Sequence, residues 1–127
     1  LIVDDDREMG RLLRTLFELE GHQVVVVASY SEVIDSLREV LPDVVVMDVH
    51  LQGEETIDLL PVIRQDAKLA NTPLVLTSGM DLRREGLDAG ANMFVLKPFL
   101  PDDLVAMVGR LLEEQSTTTL RDDVIEQ

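Results

Sequence analysis

The stretch Asp43–Gly53 reads D-V-V-V-M-D-V-H-L-Q-G. Val44 through Met47 are unbroken apolar, Asp48 interrupts, and Val49 resumes, which is the pattern of a strand buried on both faces. A carboxylate therefore arrives at or near the C-terminal end of that strand. In an open parallel sheet this is the edge where ligands bind. A single aspartate there would serve equally as an ordinary turn cap, so its meaning depends on what else converges on Asp48.

Strand-like and helix-like runs alternate on both sides of this stretch. Leu1–Val3 is apolar and runs into Asp4-Asp5-Asp6. From Arg7 to Glu20, Met9, Leu12, Leu13, Leu16 and Phe17 recur at helical spacing, and Gly21 is placed to end the helix. Val24–Ala28 reads as a second strand. Ser29 or Ser31 is predicted to cap a helix through Leu41, with Val33, Ile34, Leu37 and Val40 on one side. Beyond Gly53, a helix is expected over Glu54–Ala70, kinked or broken at Pro61, which cannot donate to the Ile57 carbonyl. Asn71-Thr72-Pro73 is a turn, and Leu74–Leu76 is a fourth strand ending at Thr77-Ser78. A polar, weakly helical stretch to Asp88 precedes a fifth strand, Met93–Leu96, followed by Lys97-Pro98-Phe99. Pro101, Asp102 and Asp103 suit the start of a last helix carrying Leu104, Val105, Val108, Leu111 and Leu112. The run Ser116–Thr119 breaks its pattern. Residues 1–115 are thus expected to form one domain, and 116–127 a C-terminal tail or the start of a linker to an output domain. The alternation predicts an α/β fold, a doubly wound five-stranded parallel sheet with helices on both faces.

Composition narrows the function. The 127 residues suit one domain, and with aromatic residues at 3% its core must be aliphatic. There is no Cys and there are two His, which excludes disulfides, thiolate chemistry and the usual zinc sites. Twenty-five acidic against 11 basic residues give a formal charge of -14, a field that repels a phosphate backbone, so direct nucleic-acid binding by this domain is not expected. No apolar run approaches the ~20 residues needed to cross a bilayer and no signal peptide is visible, so a cytoplasmic protein without membrane association is expected. The chain opens on Leu1 inside a strand-like pattern and reads as lacking a starting Met and a few residues.

Each of four strands ends in polar residues: Asp4-Asp5, Asp48, Thr77-Ser78 and Lys97. Parallel strands point the same way, so these groups share one edge of the sheet. Three carboxylates offer oxygen ligands for a hard divalent cation, best matched by Mg²⁺. A lysine supplies a point charge for a phosphoryl oxygen, a hydroxyl can donate to a second, and a carboxylate can act as a nucleophile toward phosphorus.

With V-D-D at Val3–Asp5, V-V-V-M-D at Val44–Asp48, L-T-S at Leu76–Ser78 and G-A-N-M-F-V-L-K-P-F at Gly90–Phe99, the chain resembles the receiver domains of bacterial two-component response regulators over about Leu1 to Glu114. The resemblance implies a flavodoxin-like sheet of order 2-1-3-4-5. It implies that Asp48 is the phosphoacceptor. Asp5 would be the principal metal-binding carboxylate, Asp4 its neighbour acting through a metal-bound water, and the backbone carbonyl of His50 a further ligand to Mg²⁺ or, alternatively, Mn²⁺. Thr77 and Lys97 would contact the phosphoryl group, Lys97-Pro98 would be cis, and Phe94 would be the switch aromatic that turns inward with Thr77. The partner implied is a histidine kinase or histidine phosphotransfer protein. The domain would catalyse its own phosphorylation and dephosphorylation rather than act as an independent metabolic enzyme. A homodimer could form through the fourth helix, fifth strand and fifth helix, here roughly Asp81–Ala89 and Pro101–Leu112, where Arg83, Arg84, Asp102 and Asp103 carry both signs.

The chain departs from the family pattern at Gln52, usually Pro, and at Glu55-Thr56, commonly Asp-Gly. The loop is expected to form with less rigidity, and Glu55-Thr56 to start the next helix. Gly79 leaves the approach to Asp48 open on one side, and His50 is read as an exposed side chain. Two rivals remain at this level. A haloacid-dehalogenase-like phosphatase would want an acid two residues after its nucleophile, where His50 stands. A phosphorylation-independent pseudo-receiver, acting as an interaction module, would be expected to have lost Asp5, Asp48 or Lys97.

Overall fold

The structure is a computed structural model that describes the backbone of residues 1–126 and the side chains of residues 1–115. Among the described residues there are seven strands: β1 (Ile2–Val3), β2 (Val26–Val27), β3 (Val45–Asp48), β4 (His50–Leu51), β5 (Glu54–Glu55), β6 (Leu74–Ser78) and β7 (Met93–Leu96). Five of them form one parallel sheet ordered β2-β1-β3-β6-β7, while β4 and β5 pair antiparallel as a separate hairpin. Counted within the parallel sheet alone, the order is the expected 2-1-3-4-5. The helices are α1 (Arg7–Leu19), α2 (Val33–Val40), α3 (Leu60–Gln65), α4 (Arg83–Ala89) and α5 (Pro101–Glu126).

The unbroken apolar run of β3 is explained by a core on each side of it. Val45 and Met47 pack with Leu37, Leu60, Ile63, Leu74, Leu76 and Phe94 on one face. Val46 packs with Ile2, Phe17, Val75, Leu104 and Val108 on the other, under α1 and α5. Side chains alternate along a strand, so residues two apart share a face. Asp4, Asp48, Thr77 and Lys97 each stand two residues beyond a member of the α1/α5 core: Ile2, Val46, Val75 and Val95. One phase of the sheet thus carries the polar groups off its C-terminal edge together.

Local signals hold in part. Asp6 caps α1, its Oδ1 accepting from the Glu8 and Met9 amides at 3.0 and 3.2 Å. Gly21 turns the chain after α1 with a φ of +92°. Pro61 lies in the first turn of α3, and the expected long helix is broken ahead of it into a 3-10 turn, Thr56–Leu59. Three expectations need correction. Neither Ser29 nor Ser31 caps a helix; their hydroxyls bond each other at 3.0 Å, and a 3-10 turn, Tyr30–Glu32, precedes α2. α3 stops at Gln65 and not at Ala70, because Asp66 turns extended and its carboxylate accepts from Arg38 and the Lys68 amide. Glu55 ends the hairpin and stands at the N-cap of the 3-10 turn that Thr56 opens ahead of α3, so this pair does start the next helical element. The backbone of α5 continues through Ser116–Thr119, residues of modest helix propensity but without the backbone conflict of Pro. The rest of the reading of 116–127 as a tail or linker falls on side chains outside the described residues.

Candidate functional site

β1 ends at Val3, so Asp4 and Asp5 leave the sheet beside the end of β3. Asp4 is buried and Asp5 exposed. The Asp6 amide donates to Asp4 Oδ1 at 2.9 Å, which holds that side chain inward. Asp48, also buried, lies in register with Thr77 across the β3–β6 ladder. Lys97 follows β7 and reaches back past β6, its Nζ donating to Asp48 Oδ2 at 2.9 Å. Carboxylate oxygens of Asp4, Asp5 and Asp48 lie within 4.8 Å of one another. Burial pushes the Asp4 carboxyl above the usual carboxylate range, and the charge of Asp48 adds to this; the Asp6 amide and Lys97 oppose it.

Three carboxylates this close repel one another, and a single ammonium does not neutralise them. All the donors are hard oxygens, and one carboxyl is shifted toward its neutral form. A divalent cation would remove that repulsion, so the residues present fit an oxygen-ligated metal site. Thr56 N–H donates to Val49 O, which makes Val49–Thr56 a bonded pair of the hairpin and His50–Glu55 the next, non-bonded one. The backbone groups of His50 therefore face away from β5. Its side chain is exposed, with Nε2 at 3.8 Å from Glu55 Oε1.

Thr77 is buried, and its neighbour Ser78 accepts from the Met80 amide at 3.0 Å. Phe94 is buried on the opposite face of the sheet, paired with Leu76, with the Arg83 guanidinium 5.9 Å above its ring. Lys97-Pro98 is cis. Nothing lies within 4 Å of where a Gly79 Cβ would stand. The structure thus gathers Asp4, Asp5, Asp48, Thr77 and Lys97 at one edge, and sets Phe94 behind Thr77.

Sequence reasoning missed two contributors. Thr56, fully buried, donates its hydroxyl to the main-chain carbonyl of Asp48 at 2.8 Å. The Gln52 amide donates to Asp5 Oδ2 at 2.9 Å. A buried β-branched hydroxyl after a glycine turn is the only trace of the first in the sequence, and a backbone donor leaves no trace at all.

No helix among the described residues is long and apolar enough to cross a membrane. Comparison with known proteins agrees with the fold. The DNA-binding response regulator MtrA of Mycolicibacterium smegmatis is 36% identical over 112 residues, 85% of this chain and 47% of its own. The transcriptional regulatory protein CpxR of Escherichia coli K12 is 36% identical over 115 residues, 88% of this chain and 48% of its own. The chain therefore spans about half the length of these curated relatives. The receiver domain of the Francisella response regulator 1452 superposes with a TM-score of 0.81 at 28% identity, covering 90% of this chain and 95% of that one. The activated receiver domain of Klebsiella pneumoniae RstA gives 0.78 at 26%, covering 87% and 95%. The family model described as the response regulator receiver domain matches residues 1–109. With that match joined to an acid pocket at the sheet edge, the chain belongs to the response regulator receiver domains, the phosphoacceptor signalling domains of two-component systems.

Proposed function

We propose that Asp48 is the phosphoacceptor of this domain and that a histidine kinase or histidine phosphotransfer protein is the donor. One observation carries the reading: Asp48 is the acid placed at once in register with Thr77, 2.9 Å from Lys97 and inside the Asp4–Asp5 cluster. An Asp48 oxygen attacks phosphorus, the bond from phosphorus to the donor's imidazole nitrogen breaks, and that nitrogen keeps the electron pair. Mg²⁺ held by Asp4, Asp5, Asp48 and the His50 carbonyl would offset charge on the phosphoryl oxygens when bound; Mn²⁺ fits the same donors. Lys97 exchanges its bond to Asp48 for one to a phosphoryl oxygen. The Thr77 hydroxyl donates to another, and Phe94, packed against the same strand pair, follows that movement. Water later cleaves the acyl phosphate, reaching it past Gly79.

The phosphoryl group biases a two-state equilibrium that an output reads. MtrA is named as DNA-binding and CpxR as a transcriptional regulatory protein; by that likeness the output would act on DNA through a segment other than this acidic domain, in the cytoplasm. A homodimer through α4, β7 and α5 is supported by exposed Leu87, Leu96 and Leu100 beside Arg83, Arg84, Asp102 and Asp103. Light scattering with a phosphoryl mimic tests it, and an unchanged monomer at high concentration would count against it.

Acetyl phosphate with divalent cation should add one labile phosphoryl group, and Asp48→Asn should abolish it. Intact-mass analysis with borohydride trapping locates the site. Labelling at Asp4 or Asp5 would overturn the assignment, and no labelling by any donor would favour the pseudo-receiver.

A further inference from the structure

Of the positions where this chain departs from the family pattern, Gln52 lies in the β4–β5 turn and bonds the Asp5 carboxylate, and Thr56 directly follows β5 and bonds the main chain of Asp48. Gln52 has a φ of +51° and Gly53 of +82°, the pair of left-handed residues that closes a two-residue hairpin. Glycine takes that conformation freely, but Gln52 bears a β-carbon that disfavours it. Its amide is thereby aimed at Asp5 Oδ2, 2.9 Å away. A proline, with no N–H and φ fixed near -65°, could neither make this bond nor take this turn.

The second contact has an equally local cause. Val46 N–H donates to Leu1 O, so the main-chain groups of Val46, and two residues on those of Asp48, face β1. β1 ends at Val3, and the Asp48 carbonyl lies where that ladder stops. The Thr56 hydroxyl supplies the donor at 2.8 Å, while the Thr56 amide fixes Val49 O at 2.7 Å. A glycine at 56 would leave both the hydroxyl and its bond out.

We infer that the β4–β5 hairpin together with Thr56, which directly follows it, is a positioning element of the acid pocket, in which the Gln52 amide orients Asp5 for the cation and the Thr56 hydroxyl orients the backbone of Asp48 for phosphoryl transfer. This rests on the phosphoacceptor reading above. Neither residue reacts; each acts through the carboxylate-bearing residue it holds.

The test pairs Mg²⁺ titration by calorimetry with the rate of acyl phosphate formation from acetyl phosphate at saturating Mg²⁺, circular dichroism confirming that each variant is folded. Gln52→Pro should weaken Mg²⁺ binding about tenfold and Thr56→Val should slow labelling about tenfold, in the range seen when a ligand's supporting bond is lost. Gln52→Gly keeps the amide and the left-handed turn and should restore affinity; Thr56→Ser keeps the hydroxyl and should restore the rate where the isosteric valine does not. A folded Gln52→Pro chain that binds Mg²⁺ like wild type overturns the Gln52 role. Equal rates for Thr56→Val and wild type, or equal loss in Thr56→Val and Thr56→Ser, overturn the Thr56 role. If wild type itself takes up neither Mg²⁺ nor phosphoryl, the functional reading fails instead.

Discussion

Lys97 Nζ donates to Asp48 Oδ2 across 2.9 Å, from the end of β7 to the end of β3, with β6 lying between the two strands. The ammonium thus offsets part of the charge of a group of three carboxylates. Lys97→Ala should destabilise the metal-free domain by about 1–2 kcal/mol, less than the ~3–5 of a fully buried broken pair, because the lysine side chain is 28% exposed. Asp48 itself stays chemically intact in that variant. Denaturant melts with and without Mg²⁺ check this: the deficit should shrink when the ion is added, and a loss indifferent to Mg²⁺ would speak against a shared electrostatic role.

Asp4 gives a pH dependence of definite sign. Its folded carboxyl is raised chiefly by burial and also by Asp48. Between the ordinary carboxylate value and the raised one the folded state binds more protons than the unfolded state, so stability falls as pH rises through that window. Lowering pH from neutral toward that value should stabilise the metal-free domain until other carboxylates titrate. Asp4→Asn, which keeps an oxygen for the Asp6 amide, should raise stability at neutral pH and flatten this part of the profile. Melts across a pH series in chelator report it; an unchanged slope would show that Asp4 does not carry it.

The sheet and its acid edge were legible because they depend on short-range patterns. Val44–Met47, Leu74–Leu76 and Met93–Leu96 are apolar at every position, and each is followed at once by the residue that matters. Helix limits were less legible, since they turn on long-range partners: Asp66 ends α3 while held by Arg38 from α2. The hairpin after β3 was missed because Gln52 is an unusual residue for a positive φ, and its place is secured by Asp5, 47 residues away in sequence. Thr56 reads as an ordinary helix-starting threonine until its hydroxyl is seen on the Asp48 carbonyl.

Arg64 is another long-range device without a sequence signature. Its guanidinium donates to the carbonyls of Gly90, Leu69, Ala70 and Thr72 and to Asn92 Oδ1, at 2.8–3.3 Å, tying the end of α3 to the loops that lead into β6 and into β7. Burial lowers its pKa, a cost these bonds offset. Arg64→Ala should cost about 2–3 kcal/mol, through acceptors left without a donor. Arg64→Lys should recover less than half, since an ammonium cannot serve acceptors spread around a planar fork. Urea unfolding of the two variants decides it, and full recovery by lysine would show that charge alone suffices.

The metal site supplies the last prediction. Asp4, Asp5 and Asp48 are brought together only by the fold, so a cation that binds them binds the folded chain and not the unfolded one, and must raise the melting temperature in a concentration-dependent way. Mg²⁺ at a hundredfold excess over its dissociation constant should add about 2.7 kcal/mol. Asp5 is the acid to remove, because it is exposed and its replacement leaves the buried pair Asp4 and Asp48, and the bond from Lys97, in place. Asp5→Asn should therefore melt close to wild type in chelator and lose most of the Mg²⁺ increment, whereas a general salt effect would raise both proteins alike. The same melts with Ca²⁺ and Mn²⁺ at matched ionic strength separate a small-cation site from loose charge neutralisation. An equal gain for wild type and Asp5→Asn would remove Asp5 from the ligand set.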